Sequence, residues 1–474
     1  MAQKSSRTLA ASLVNTSALP CGLAQLKALA SEARAYDALI PYPLYWFRDW
    51  KTEDRGPLPR CMPIAKSIVD RGARWLFGKP IEIYAHCNPQ LEQFLRAAWQ
   101  KNRMGSRLPA IARTGALDGG VVLKFSCDTE TDEMLQIQSL SIVDQVRLYY
   151  HPHNRDQLLM ARVQYPYFDP VLGKTFWFRE EWTDDEHIEY VPIADEAQQK
   201  PTSFISADIN HGWQISRRTP NVFQTIPLVH IKNIETDDLW GRGDLWDLYR
   251  VFDRVNLTYH LMDRSNQFDS DHNPIFIDAE IDEQDVDRPL QPGQPIALDS
   301  KEGGHQATVH FPEARGSLRP AMMDYAQDLR KQILSAASSS EVDTAEITNK
   351  GNLTTAVLQQ LYQPQIEITQ EKRKSYGDDG IVLFLTKAAK ALQAVGVDLG
   401  ITDDPATYEL QIGWAPFFEL TQDERTSVTS RSLEQMRAGL LTHHRTVTRV
   451  ALAEGIPDPA ALLEELPART PLNQ

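Results

Sequence analysis

A chain of 474 residues, 42% hydrophobic and 24% charged, has ordinary globular composition and room for two or three compact units, which excludes general disorder. Its 49 basic and 64 acidic residues leave a net charge of -15, arguing against a protein that clamps nucleic acid through a broad basic surface. Its cysteines, Cys21, Cys61, Cys87 and Cys127, form no Cys-x-x-Cys pair. Reduced thiols in a cytoplasmic protein are therefore expected, rather than a zinc ribbon or a disulfide framework.

The opening residues are small and polar, and Leu23 to Ile40 has helical spacing. The basic start near Lys4 and Arg7 lacks the unbroken apolar stretch of an export signal, because Asn15 and Pro20 intrude. Pro41, Pro43, Pro57, Pro59 and Pro63 then punctuate an extended connector containing Tyr42, Tyr45, Trp46, Phe47 and Trp50. Few basic residues are interleaved there, so the aromatic cluster reads as core or subunit contact, not as a base-stacking platform. From Gln136 to Val191 the pattern changes to period two. It predicts strands around Leu140 to Tyr150, Leu158 to Tyr165, Thr175 to Trp182 and His187 to Val191, an antiparallel meander. With the helices before it, the region through about Trp240 makes an α+β unit.

Between Gly241 and Ser340 the chain makes a round trip. Leu245, Leu248, Phe252, Val255, Tyr259 and Met262 recur every three or four positions, with charged residues filling the other faces. A helix from Asp244 to Ser270 would be a rod of roughly 40 Å, ending by Asn273 ahead of Pro274. Pro274 to Ile277 and Val309 to Phe311 read as strands flanking an acidic segment, Asp282, Glu283, Asp285 and Asp287, with Pro289, Pro292 and Pro295 keeping the middle extended. The return helix starts at Ser317, has Pro320 in its first turn, and carries Met322, Tyr325, Leu329 and Ile333 on one stripe. Two rods joined by a small β excursion cannot enclose a core alone, so copies packed side by side are expected to cover both stripes. Leu245, Phe252, Tyr259, Met262, Tyr325, Leu329 and Ile333 are the predicted packing residues. Arg250, Arg254, Arg264, Arg330 and Lys331 are cations that face either a channel or acidic neighbours; helical phase does not decide between them, and salt bridges between copies are the default reading.

Residues 338 to 351 are small and polar without sustained apolar period. Asn352 then fits as the cap of a helix carrying Ala356, Leu358, Leu361 and Tyr362, with a kink predicted near Gln360 to Pro364 because proline removes a backbone donor. The longest apolar run, Ile381 to Val397, is interrupted by Lys387 and Lys390, so no membrane anchor is expected. Tyr408 to Trp414 alternates like a strand. Thr421 with Glu424 forms a capping-box pattern before a helix to Ala438, and Gly439 and Gly455 end two successive helices.

Several chemical motifs fail on detail. Gly72 to Pro80 resembles a phosphate-binding loop, but five residues separate Gly72 from Gly78 and Pro80 replaces the hydroxyl that would hold magnesium. Asp269 to Glu280 has part of an EF-hand pattern, yet Pro274 occupies the position requiring Gly, and a strand follows instead of a helix. His151 with His153 and His443 with His444 have no third ligand at a telling spacing. No Gly-x-Ser-x-Gly elbow or His-Glu-x-x-His is present. Neither catalysis nor a cofactor or metal is predicted.

Three stretches carry a family resemblance. The first is Ile64 to Ile81, with its Phe77-Gly78-Lys79-Pro80 turn. The second runs from Thr225-Ile226-Pro227-Leu228-Val229-His230-Ile231 through Leu239-Trp240-Gly241-Arg242-Gly243-Asp244-Leu245 into the long helix. The third is Gly351-Asn352-Leu353-Thr354-Thr355-Ala356-Val357. In order and spacing they resemble the SPP1-type portal proteins of tailed bacteriophages, the rings at one capsid vertex through which DNA enters and leaves. Gln224 stands where many members have Gly, and Gly243 where they often have Ser.

The resemblance implies an α+β portal fold. Residues 1–240 would form the N-terminal segment and wing, 241–273 the first stem helix, 274–316 a small β-containing clip and 317–340 the second stem helix. Residues 341–352 would be the tunnel loop, 353–420 the kinked tunnel helix and returning wing, and 421–474 a helical crown. It further implies a ring, twelve-fold in the family, in the virion and assembled in the host cytoplasm. Double-stranded DNA would pass through it. The terminase large subunit and later the head–tail adaptor would dock at the clip, while major capsid and scaffolding proteins surround the ring; the clip's acidic run, Asp282, Glu283, Asp285 and Asp287, reads either as a solvated segment or as a docking surface for basic partner faces. Thr348, Asn349, Lys350 and Asn352 would line the channel, where neutral donors and one cation per copy bind phosphates weakly enough to release. An acidic wall likewise favours sliding over gripping. A non-portal virion ring or scaffold, which would lack a DNA-width bore, and a DNA-processing enzyme, which would need a carboxylate cluster not found here, are the alternatives.

Overall fold

The computed structural model describes residues 23–38, 62–85, 87–127, 135–194, 213–270, 275–277, 279–280, 299–300, 308–310, 318–340, 355–402, 404–418, 422–439, 446–447 and 449–451. The chain divides into two units, residues 1–38, 65–247 and 334–474 in one and residues 39–64 and 248–333 in the other.

In the first unit, helix α1 (Leu23–Asp37) buries Leu26, Ala30, Ala33 and Tyr36, the stripe that helical spacing predicts. Helix α2 (Ile64–Phe77) buries Ile68, Val69, Leu76 and Phe77. Pro80 then blocks its continuation and the chain enters strand β1 (Ile81–Tyr84). Gly72 therefore lies inside a helix, where no phosphate-cradling loop exists. Helix α3 (Pro89–Lys101) is capped by Asn88, whose side chain accepts from the Leu91 amide, with Pro89 at its first position. Helix α4 (Met104–Asp118) stops at Gly119, whose φ is +84°; a Cβ there would lie 2.6 Å from the Trp246 ring, so glycine is required twice over.

Two antiparallel sheets follow. Strand β2 (Gly120–Ser126), buried along most of its length, pairs with β3 (Gln136–Ser141). Strands β4 (Val146–His151), β5 (Asn154–Asp169), β6 (Lys174–Trp182), β7 (Glu186–Tyr190), β8 (Ile193–Ala194) and β9 (Ile215–Pro220) make the meander. Their order is β4-β5-β6-β7-β9, with β8 beside β6. Strand β10 (Leu228–Lys232) completes a three-stranded sheet on the other side of β2. The single strand expected from Leu140 to Tyr150 is two strands in different sheets. A turn divides them, because Ser141 exchanges backbone and side-chain hydrogen bonds with Gln145 and its hydroxyl accepts from Val143. Towards the turn that joins them, β5 and β6 carry the cross-strand aromatic pairs Tyr165 with Phe178 and Tyr167 with Phe176.

In the second unit, helix α5 (Tyr249–Ser270) is followed by short antiparallel pairs. Strand β11 (Ile275–Ile277) pairs with β14 (Thr308–His310), and β12 (Ala279–Glu280) pairs with β13 (Asp299–Ser300). Helix α6 (Leu318–Ala336) returns. The long helix starts later than the periodicity predicts. Residues 244–248 are a turn, because the Asp244 carboxylate is taken up by Lys372 and its amide by the Ala116 carbonyl. Leu245 is accordingly buried ahead of the helix and not on its stripe.

The expectation that the stripes need neighbouring copies is corrected in part. Phe252, Val255, Met262, Ala326, Leu329 and Ile333 are already buried within one chain. Tyr259 is half-buried, and Leu261, Met323 and Tyr325 stay exposed, Tyr325 at 45%.

Back in the first unit, helix α7 (Thr355–Leu361) breaks at Tyr362 into α8 (Gln363–Arg373), with Pro364 in the new first turn, where the kink is expected. A π-helix from Lys374 to Val382 and helix α9 (Leu383–Val395) continue it. Strand β15 (Gln411–Trp414), shorter than predicted because Pro405–Tyr408 forms a 3-10 turn, pairs with β1. Helix α10 (Gln422–Arg437) ends at Gly439, φ +73°. Thr421 and Gly455 lie outside the described residues.

Candidate functional site

The segment from 341 to 354, with Thr348, Asn349, Lys350 and Asn352, and the acidic residues Asp282, Glu283, Asp285 and Asp287 lie outside the described residues. What is described is the helical run leading out of that segment and the bed it rests on.

That run meets the rest of the unit at a buried polar junction. The Lys372 ammonium, 6% exposed, reaches both oxygens of Asp244 at 2.7 and 2.6 Å. The Asn233 side-chain amide donates to Asp244 Oδ1 at 2.7 Å and to the Arg242 carbonyl at 3.0 Å. The Tyr376 hydroxyl donates to Asn233 Oδ1 at 3.2 Å. The Asn233 amide is fixed on the Gly119 carbonyl at 2.9 Å and the Asp244 amide on Ala116 at 2.8 Å. Gly72 of α2 packs alongside, where a Cβ would lie 3.4 Å from Asp244 Oδ2. Burial, with Asp244 and Asp118 nearby, pushes the Tyr376 phenol well above its ordinary value, so it remains a donor at any physiological pH.

The π-helix sits directly on β10. Ser375 donates to the Lys232 carbonyl. Gly377 faces Trp414, and a Cβ on Gly380 would lie 2.8 Å from the Ile231 side chain. Two glycines and two aspartates in nine residues are poor α-helix formers, and close packing against β10 holds the wider turn that results.

A second buried charge cluster rigidifies the large sheet. Arg162 Nε and Arg179 Nη2 each donate to Glu181 Oε1 at 2.8 Å, and Arg179 lies over the Tyr190 and Trp213 rings. Burial pushes the Glu181 carboxyl up, but the two guanidiniums outweigh it and hold it below the usual range. On the opposite side Glu180 bonds Lys124 and His187.

Sequence reading missed both clusters. Lys372 and Asp244 are 128 positions apart and each looks like an ordinary surface charge. Gly377-Asp378-Asp379-Gly380 inside an apolar helical run was the available signal for the π segment. Among the described residues there is no group of His, Cys, Asp and Glu arranged to hold a metal ion. The His151 and His153 rings are 5.8 Å apart, with the His153 amide donating to His151 Nδ1. Among the described residues no helix is long and apolar enough to cross a membrane.

A family model described as phage portal protein, SPP1 Gp6-like, matches residues 60–382. The chain belongs to the phage portal family. That span takes in α2, both sheets, the long helix and the helical run through the π segment. The family is a structural one. Among solved structures, the portal chain is similar to one titled as the neck of a native GTA particle computed with C12 symmetry. Identity is 14% over 82% of this chain and 89% of that chain, with a TM-score of 0.39. A search of curated proteins returns no match.

Proposed function

We propose that copies of this portal chain close into a twelve-fold ring at one capsid vertex, through which double-stranded DNA is packaged and later ejected. The observation that carries the reading is the family match across residues 60–382. The excess of 64 acidic over 49 basic residues supports a wall that DNA slides past rather than one that grips it. Exposed Leu261 on α5 and Met323 and Tyr325 on α6 leave apolar surface for the neighbouring copy. Residues Thr348, Asn349, Lys350 and Asn352 meet the duplex, and Asp282, Glu283, Asp285 and Asp287 dock the basic faces of the terminase large subunit and then the head–tail adaptor. Major capsid and scaffolding proteins hold the ring in the virion.

Negative-stain electron microscopy of the purified chain tests this. Annular particles with a central opening wide enough for duplex DNA are expected. Monomers alone at high concentration and physiological salt would overturn it.

A further inference from the structure

The junction at Asp244 is more elaborate than stability requires. Exchanging a buried ion pair for well-packed apolar groups is commonly neutral or stabilising, so such a pair points to something other than net stability. Here it joins two stretches with distinct destinations. The connector from Asn233 to Asp247 leads into the stem helix, and α8 with its π segment follows residues 341–354 in the chain. Lys372 on α8 is bound to Asp244, and one turn further Tyr376 is bound to Asn233, whose own amide grips Asp244. Contacts on successive turns fix rotation as well as position. A one-residue slip of an α-helix turns it by about 100° and moves it about 1.5 Å, which would undo both. A π segment beside the junction is where such a slip would be absorbed.

We propose that Asp244, Lys372, Asn233 and Tyr376 are positioning residues that lock the rotational register of α8 and the π segment on the Asn233–Asp247 connector. Resting on the portal reading above, this lock holds in one orientation the helical run that the chain enters after residues 341–354, and its loss impairs the passage of DNA.

The test is the double variant Asp244→Leu with Lys372→Met. It removes both charges together and leaves the Asn233 amide its Arg242 carbonyl. Tyr376→Phe is the milder companion and removes one hydroxyl. Each is measured by thermal unfolding, by amide hydrogen exchange over residues 363–382, and by nuclease-protected DNA in particles assembled with the variant portal. The expectation is unfolding close to wild type, exchange at least tenfold faster in the double variant and about threefold faster in Tyr376→Phe, and several-fold less protected DNA. Wild-type exchange in both variants overturns the lock, and wild-type DNA content despite faster exchange overturns its role in the channel. The exchange reading needs no ring, so wild-type chains that form no DNA-filled particle would refute the portal reading while leaving the lock separately judged.

Discussion

The Tyr150 hydroxyl lies 3.2 Å from Nδ1 of His230, while Nε2 of the same ring is closed off from solvent. Desolvation, with the Lys232 cation nearby, pushes the imidazole down to about 3. His230 is therefore neutral in the fold, and the unfolded chain takes up the proton first. Its contribution is fully present above the ordinary histidine value and is lost as the pH falls through that value towards about 3. Between pH 7 and pH 5 the chain is expected to lose ~1–2 kcal/mol from this one group. Denaturant unfolding at the two pH values should show a shallower loss in His230→Gln than in the parent chain; equal losses would remove His230 as the cause.

Gln224 has φ +53°. A left-handed conformation costs a residue with a Cβ about 1 kcal/mol or more, and glycine adopts it freely. Gln224→Gly is expected to stabilise the first unit by ~0.5–1 kcal/mol, read as a raised denaturant midpoint at unchanged slope. A lowered midpoint would mean that the Gln224 side chain contributes more than its backbone costs.

Gly115 is packed against the phenol of Tyr376, where a Cβ would lie 1.9 Å from the hydroxyl. Gly115→Ala should destabilise by ~2–3 kcal/mol through overpacking, despite alanine's better helix propensity. Tyr376→Phe in the same chain should recover part of that loss, because the clashing atom is gone. Strict additivity in the double-variant cycle would show that the two sites do not meet.

Helix α6 makes opposite predictions for two of its residues. Ile333 is fully buried, and Ile333→Ala should cost ~2–5 kcal/mol in the unfolding of a single chain. Tyr325 is 45% exposed, with its hydroxyl 3.5 Å from Arg254. Tyr325→Ala should leave chain stability within ~0.5 kcal/mol and reduce the fraction of rings in analytical ultracentrifugation. Unchanged ring content would place the copy-to-copy contact elsewhere.

Much of the architecture was legible because it rests on local periodicity. The strands from Leu158 to Val191, the helices around Leu26, Phe252 and Leu329, and the break before Pro364 follow from spacing and from proline's missing donor, whereas the turn that splits Leu140–Tyr150 between two sheets rests on the side chains of Ser141 and Gln145. The start of the long helix was not legible, since Leu245 and Leu248 continue the apolar period perfectly well. Asp244 at the head of that turn is held by Lys372, 128 positions away, by Asn233 and by the Ala116 carbonyl, and no local pattern records those contacts. The π segment was half visible in Gly377 and Gly380, but only the closeness of Ile231 and Trp414 explains why glycine stands at both. Burial of Ile333 and Met262 inside one chain was hidden for the same reason: periodicity tells which side of a helix is apolar and is silent about what lies against it.

Arg34 binds both oxygens of Asp118, at 2.8 and 2.5 Å, and also reaches Asp144 and Ser141. The Asp118 side chain is completely buried, and burial raises its pKa against the pull of Arg34 and Ser141. A version of the protein that begins after residue 38 would leave that buried carboxylate without its guanidinium, held only by the Ser141 hydroxyl that donates to it at 2.7 Å, and the loss is smaller than for a fully buried pair because Arg34 is 38% exposed. It would have to admit water, take up a proton or open. Helix α1 thus supplies the cation that neutralises a carboxylate buried in the first unit, and a shortened version of the protein has to keep Leu23–Asp37 whole.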